Sequence, residues 1–321
     1  MLLDKNELQS ISRALKKADR ILIISHKSPD GDTVGSALGL YHSFKAIGKI
    51  PTVACIDPTP PEFAFMPGVE NYQQGVDHLN YDMIFIVDCG ATHLTGLNEK
   101  FPELFDKSLE VVNIDHHPTN TFFGKYNLVV ETAAAATMIV YQMLVDLNLP
   151  LNRQSATCLL TGLYTDTGSF MHSNTDPIAM RIGARLLAKG ADLRSISKEI
   201  FNTTTISTMR LWGRVLKNTY QTPDEVTMSV VSKKDFEETG ASYSQMTGVV
   251  DYVNSVPNSK YSVILTERDD IVKGSLRTLN DDVDVSAIAS QYGGGGHVKA
   301  SGFAVKGRLE KEVRWKVVEE R

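Results

Sequence analysis

The run Ile21-Leu22-Ile23-Ile24 is continuously apolar and ends at Ser25. So short a run reads as a strand buried on both faces rather than as a helix. A helical segment is predicted from Thr33 to about Gly48, followed by strands over Thr52–Ile56, Met83–Val87 and Val111–Ile114. Helices are predicted over Ala134–Leu147 and Arg153–Thr165. Strands alternating with helices imply an α/β fold with a mostly parallel sheet covered on both faces. The N-terminal MLLDKNELQSISRALKKADR reads as an amphipathic helix.

From about Asp176 to Lys217 the pattern is helical, with no strong strand. Strands return at Val226–Val231, Tyr261–Thr266, Ile271–Leu276 and Ser301–Val305. The expected organisation is therefore a first α/β domain over 1–190, a helical linker over 191–217 and a smaller α/β domain over 218–321. The length, 321 residues, agrees with two domains.

Composition adds little to this picture until charge is considered. Hydrophobic residues make up 42% and charged residues 22%, as in an ordinary globular protein. No apolar stretch approaches the ~20 residues of a membrane span, and the N-terminus lacks the pattern of a signal peptide. The net charge of -5 disfavours tracking of long duplex by phosphate contacts. A short anionic ligand stays open, because a bound metal can reverse the local sign. Cys55, Cys89 and Cys158 form no C-x-x-C pair, which argues against a thiolate zinc site or disulfide framework and for a reducing cytoplasm.

The candidate chemistry lies where apolar elements end. His26, Asp30 and Asp32 follow the first strand, Asp88 follows "IFIV", and Asp115-His116-His117 follow "VVNI". Asp166 stands in "GLYTDTGSF", at a predicted helix terminus. Carboxyl ends of neighbouring parallel strands converge on one crevice. Singly, each Asp reads as a cap or turn residue; Asp32 in particular could N-cap the helix after it. Together, the carboxylates and imidazoles suit two divalent ions. A His and Asp set without Cys favours Mn²⁺ or a similar ion over structural zinc. Two ions about 3.5–4 Å apart are the usual clamp for in-line displacement at phosphorus.

"HKSPDGD", "VDCG", "DHH" and "TDTG" resemble, in order, the four motifs of the DHH phosphoesterase superfamily. "GSLRT" and "GGGGHVKASGF" resemble the DHHA1 domain that accompanies one branch. Size and domain order are similar to the group of bifunctional oligoribonucleases and pAp phosphatases. The resemblance implies that His26 and Asp30 bind one metal and Asp32 and His116 the other, with Asp88 and Asp166 shared. It implies that Asp115 orients an imidazole and that His117 faces the substrate phosphate or leaving group. Arg277 and His297 would hold a substrate phosphate. The Gly294, Gly295 and Gly296 backbone would allow close approach and offer N–H groups. The active site would lie in the cleft between the domains.

The implied activity is hydrolysis of very short oligonucleotides to 5′-mononucleotides, and of pAp to AMP. A preference for pApA, the linear product of a cyclic dinucleotide, is a related alternative. A DHH-type inorganic pyrophosphatase would share the first domain but lack "GGGGH". A RecJ-like exonuclease would need a further nucleic-acid module, and polyphosphatases lack this C-terminal pattern. A non-catalytic nucleotide sensor should have lost ligands, and all six are present. The expected partners are short oligoribonucleotides and pAp-like nucleotides, with no membrane and no long duplex; a homodimer is left open.

Overall fold

The computed structural model describes residues 3–76, 79–106, 108–201 and 204–310. The chain divides into two units, Met1–Thr203 and Thr204–Arg321.

The first unit opens with helix α1 (Lys5–Lys17), capped by the Asp4 carboxylate on the N–H groups of Asn6 and Glu7. Its Leu8, Ile11 and Leu15 are buried, one apolar stripe at helical spacing. Six strands follow: β1 (Arg20–Ser25), β2 (Ile50–Cys55), β3 (Tyr72–Gln74), β4 (Met83–Val87), β5 (Val111–Asp115) and β6 (Tyr126–Val129). They pair in the order β3-β2-β1-β4-β5-β6, and every pairing is parallel. The order reverses between β1 and β4, so a crevice opens outside their carboxyl ends. That is where the sequence sets His26 and Asp88.

Helices α2 (Gly31–Ala46), α3 (Ala136–Asp146), α4 (Arg153–Asp166) and α5 (Pro177–Ala188) contribute to one large core with Ile21, Ile23 and Phe85 of the sheet. The alternate residues Leu22, Ile24, Ile84 and Ile86 face a second, smaller core. Short 3₁₀ turns, Thr92–Thr95 and Pro102–Phe105, bring Leu97, Phe101 and Leu104 against this face. Both faces are covered, as the apolar runs require, but the long helices share one face. Gly90, Gly96 and Pro102 interrupt helical continuity in the covering segment. The strands β3 and β6 escaped the sequence reading because they are short and partly exposed edges.

The stretch 191–217, read as a linker, is shared between the units. Helix α6 (Leu193–Phe201) buries Ile196 in the first core. Helix α7 (Ile206–Lys217) buries Leu211 and Val215 in the second unit.

The second unit carries β7 (Tyr220–Gln221), β8 (Val226–Val231), α8 (Lys233–Thr239), α9 (Val249–Asn254), β9 (Tyr261–Arg268) and β10 (Ile271–Arg277). Then come α10 (Val285–Ser290), β11 (Gly295–His297) and β12 (Ala300–Lys306). Its sheet runs β11-β12-β10-β9-β8-β7; β8 and β9 are parallel and the other pairs antiparallel. Ile264 packs with α7 and α9, whereas Val263 and Leu276 pack with α10.

Candidate metal centre

The loop after β1 starts at His26 and ends at Asp30, which caps α2. The Asp30 carboxylate accepts from the N–H groups of Asp32 and Thr33 at 3.0 and 3.1 Å. Helix α2 therefore begins at Gly31, two residues before the predicted start, and Asp30 rather than Asp32 is its cap. Asp32 is freed for another task. Its fully buried carboxylate accepts from the N–H groups of Ala136 and Thr137, at 2.5 and 3.0 Å, where α3 begins.

Close packing of α2 on α4 brings Asp32 and Asp166 together. At Gly35 a Cβ would stand 2.6 Å from the carbonyl oxygen of Cys158. At Gly162 it would stand 2.5 Å from Thr137 Cγ2 and 3.0 Å from Asp32 Oδ1. Only glycine admits such an approach.

Asp88 leaves β4 with φ of 53°, in the left-handed region, a strained position for a residue with a Cβ and one often found at functional sites. Its buried carboxylate lies 3.3 Å from His26 Nε2 and 3.5 Å from His116 Nε2. Both imidazoles have their Nδ1 atoms engaged with backbone carbonyls, His26 with Lys27 at 2.8 Å and His116 with Ala133 at 3.1 Å. Those bonds fix Nδ1 as the donor and turn Nε2 towards the crevice, where it can bind an ion once its proton is displaced.

Three groups of side chains converge closely enough to hold an ion: His26 with Asp30 and Asp88, Asp32 with His116 and Asp166, and Asp88 with His116 and His117. All six predicted ligands therefore meet, with Asp88 beside both of the first two groups. His117 differs in orientation. Its Nδ1 donates to Asp115 Oδ1 at 2.8 Å.

Burial is the largest influence on these groups. It pushes the Asp32 carboxyl well above the usual range, with repulsion from Asp88 and Asp166 adding to it. Burial raises Asp166 to about 7 and raises Asp30 as well. It would also raise Asp88, but the imidazoles of His116 and His26 hold that carboxyl well below its usual value. Burial opposes charge on those imidazoles, yet Asp88 and neighbouring carboxylates raise His26 to about 9 and His116 to about 10.

The residues present fit a divalent cation. Asp88 Oδ1 is buried and accepts no hydrogen bond, a costly state for a carboxylate oxygen. A cation among these carboxylates would satisfy it, and would relieve the repulsion that raises Asp32 and Asp166. The donor set, carboxylate oxygens with imidazole nitrogens and no thiolate, suits Mn²⁺ and similar ions.

Sequence reasoning missed the support beneath Asp115. Asn120 Nδ2 donates to Asp115 Oδ2 at 2.6 Å and to Asn113 Oδ1 at 2.9 Å. Asn113 Nδ2 donates to the Cys89 carbonyl at 3.0 Å. Asn113, a polar residue inside the apolar run "VVNI", was the available signal.

In the second unit, β12 holds Ala300 opposite Arg277 on one side and opposite His297 on the other. Directly opposed residues share a sheet face, so Arg277 and His297 flank one small residue. The glycines have structural reasons of their own. The N–H of Gly294 donates to the Ala289 carbonyl at 2.9 Å. A Cβ on Gly294 would stand 2.2 Å from the Gly302 carbonyl oxygen, and Gly296 has φ of 140°.

Comparison with known proteins agrees with both halves. The DHH family, N-terminal domain, matches residues 20–163, and the DHHA1 domain matches residues 225–320. The bifunctional oligoribonuclease and PAP phosphatase NrnA of Thermus thermophilus is 34% identical over 308 residues, 94% of this chain and 89% of its own. The protein of the same name from Mycoplasma genitalium is 27% identical, covering 95% of each chain. A crystal structure of an exopolyphosphatase-related protein from Bacteroides fragilis is 26% identical, with a TM-score of 0.85 over 97% of this chain and 93% of that one. With DHH motifs at the strand ends of the first unit and a DHHA1 domain in the second, the chain belongs to the DHH phosphoesterase family.

Proposed function

We propose that this protein is a two-metal phosphoesterase that degrades very short oligoribonucleotides to 5′-mononucleotides and converts pAp to AMP. The observation that carries the reading is the meeting of His26, Asp30 and Asp88 with Asp32, His116 and Asp166 around one crevice. The names of the curated relatives supply the substrate class.

His26 and Asp30 would hold one ion and Asp32 and His116 the other, with Asp88 and Asp166 serving both. When bound, two Mn²⁺ ions supply Lewis-acid polarisation of the phosphoryl oxygens and lower the pKa of an attacking water. The chain's own residues do the rest. Asp115, steadied by Asn120, holds the His117 ring with its Nδ1 proton inward. The Asp115 hydrogen bond raises the His117 pKa. Protonated His117 can then give its Nε2 proton to the oxygen that leaves as the P–O bond breaks. Arg277 and His297 hold a second substrate phosphate, the Arg fork taking two oxygens at once. Cys55, Cys89 and Cys158 are buried and free, which accords with a reducing, cytoplasmic setting. Among the described residues no helix is long and apolar enough to cross a membrane.

The test is turnover with Mn²⁺ on pAp, pApA, a pentaribonucleotide, pyrophosphate and polyphosphate. The reading expects the highest kcat/KM on pAp and the short oligonucleotides. Highest kcat/KM on pyrophosphate or polyphosphate would replace it with the corresponding phosphatase.

A further inference from the structure

We propose that the first unit carries an anion site remote from the metal ligands, in which Arg13 and Lys17 of α1 hold a phosphate dianion, free or as a monoester. An open cavity of about 400 Å³ lies between α1 and the amino ends of the sheet strands, a size common for small-molecule sites. Ser10, Arg13, Ala14 and Lys17 line it from the helix. Their spacing of three and four residues sets them on one stripe of α1, beside the buried stripe of Leu8, Ile11 and Leu15. From the sheet it is lined by Asp82, Glu110 and Tyr126. Asp82 immediately precedes β4, Glu110 immediately precedes β5, and Tyr126 begins β6.

The charges around this cavity are unequally matched. Both oxygens of each lining carboxylate are taken. Asp82 Oδ2 accepts from the N–H groups of Asp19 and Arg20 at 2.9 and 2.7 Å, and its Oδ1 lies 3.5 Å from the Arg20 guanidinium. Glu110 holds the Lys125 ammonium on one oxygen and accepts from the Tyr126 hydroxyl on the other, at 2.6 Å. Each acid thus has a cation of its own, and neither of those cations lines the cavity. The two cations that do line it are left over. Arg13 Nη2 donates to Ser10 Oγ at 3.1 Å. Among the described residues, neither Arg13 nor Lys17 stands within ion-pair distance of a carboxylate; Lys17 acts on Glu110 from farther off. Burial favours the uncharged form of Glu7, one turn earlier on α1. Two positive charges therefore face the cavity without an anion of their own, in a chain of net charge -5.

Donor chemistry chooses the occupant. Side chains four residues apart on a helix stand about 5–6 Å apart at Cβ, so the guanidinium and the ammonium can meet on one group. The Arg fork suits two oxygens of a tetrahedral anion, and Lys adds a point charge on a third. Phosphate offers three such oxygens and two charges, where a carboxylate offers two and one. The metal ligands take no part, because Asp88 and Asp115 stand at the other ends of β4 and β5, about 17 Å along strands of five residues.

Calorimetric titration of the full chain in EDTA, with inorganic phosphate, adenosine 5′-monophosphate and acetate as separate probes, tests the site without metal or turnover. Wild type should bind both phosphate probes more tightly than acetate. In R13S/K17S the phosphate affinity should fall about tenfold or more, as expected for losing charge-assisted contacts. Arg13 and Lys17 are exposed, so the melting temperature of that variant should stay at the wild-type value. K16S, which removes a charge of α1 outside the cavity, and R277S should both keep the binding. Equal affinity for the two phosphate probes would mean that the phosphate group alone is held; tighter binding of the nucleotide would mean that the cavity also takes the nucleoside. Acetate binding as tightly as phosphate, or phosphate binding unchanged in R13S/K17S or lost in R277S, would overturn the site. None of these results depends on hydrolysis, so the phosphoesterase reading stands or falls separately.

Discussion

At the scale of single residues, the arrangement turns on which nitrogen each histidine offers. His26 and His116 engage their Nδ1 atoms with carbonyls and turn Nε2 to the crevice, whereas the Nδ1–H of His117 donates a hydrogen bond to Asp115. Asn120 should matter through that last bond. N120A is expected to lower kcat by about tenfold or more, the usual cost of losing an outer partner at a metal site. Manganese stoichiometry should stay as in wild type, and adding H117A should lower kcat little further. Independent, multiplying losses in the double variant would show that Asn120 does not act through His117. The six candidate ligands could be picked out because they follow strong apolar runs or stand at a helix terminus. Asn120 was not, because an Asn in "DHHPTN" reads as a turn residue until its side-chain bonds to Asn113 and Asp115 are seen.

The same residues set a pH dependence. In the metal-free protein the pKa of His26 rises from 6.5 to about 9, and that of His116 from 6.5 to about 10. Their contribution to stability is complete below pH 6.5 and is lost as pH rises through 9 to 10. Asp166 rises from 3.8 to about 7, so the folded state again holds more protons and stability falls between those values. The melting temperature in chelator should therefore decline from pH 5 towards pH 10. Metal affinity should climb over the same range, because binding expels these protons. Calorimetry in buffers of different ionisation enthalpy would detect the release. A metal-free protein that grows more stable with pH, or binding without proton release, would contradict these assignments.

At the scale of elements, two helices set the spacing of the ligands. Helix α2 carries Asp32 at its start and α4 carries Asp166 at its end, and Gly35 lets their backbones approach. In G35A the new methyl would meet a backbone carbonyl rather than a flexible side chain, so the helices must part. A destabilisation of about 1–3 kcal/mol is expected, with weaker manganese binding measured by titration on the folded fraction. Unchanged affinity would mean that the ligand set tolerates the shift. Helix and strand periodicity made α2, α4 and the central strands legible. The closeness of α2 to α4 was not, since it depends on Gly35 meeting Cys158 far along the chain. The edge strand β6 was missed for a related reason: its Tyr126 and Asn127 look like loop residues until Val112 and Asn113 pair with them.

At the scale of the whole molecule, the two units divide the proposed work, the first holding metal and the second holding phosphate. Metal should act as a folding ligand for the first unit, since the folded chain gathers ligands that the unfolded chain scatters. Manganese at about 100 times its dissociation constant should add about 2.7 kcal/mol to stability, seen as a rise in melting temperature that EDTA reverses and D32N abolishes. The central claim is that Asp88 stands between two ions. The most direct measurement is anomalous diffraction at the manganese edge from crystals of the full chain grown with Mn²⁺. The account predicts two peaks, one touching His26 and Asp30, the other Asp32 and His116, with Asp88 in contact with both. A single peak, or two peaks with Asp88 bound to only one, would contradict it.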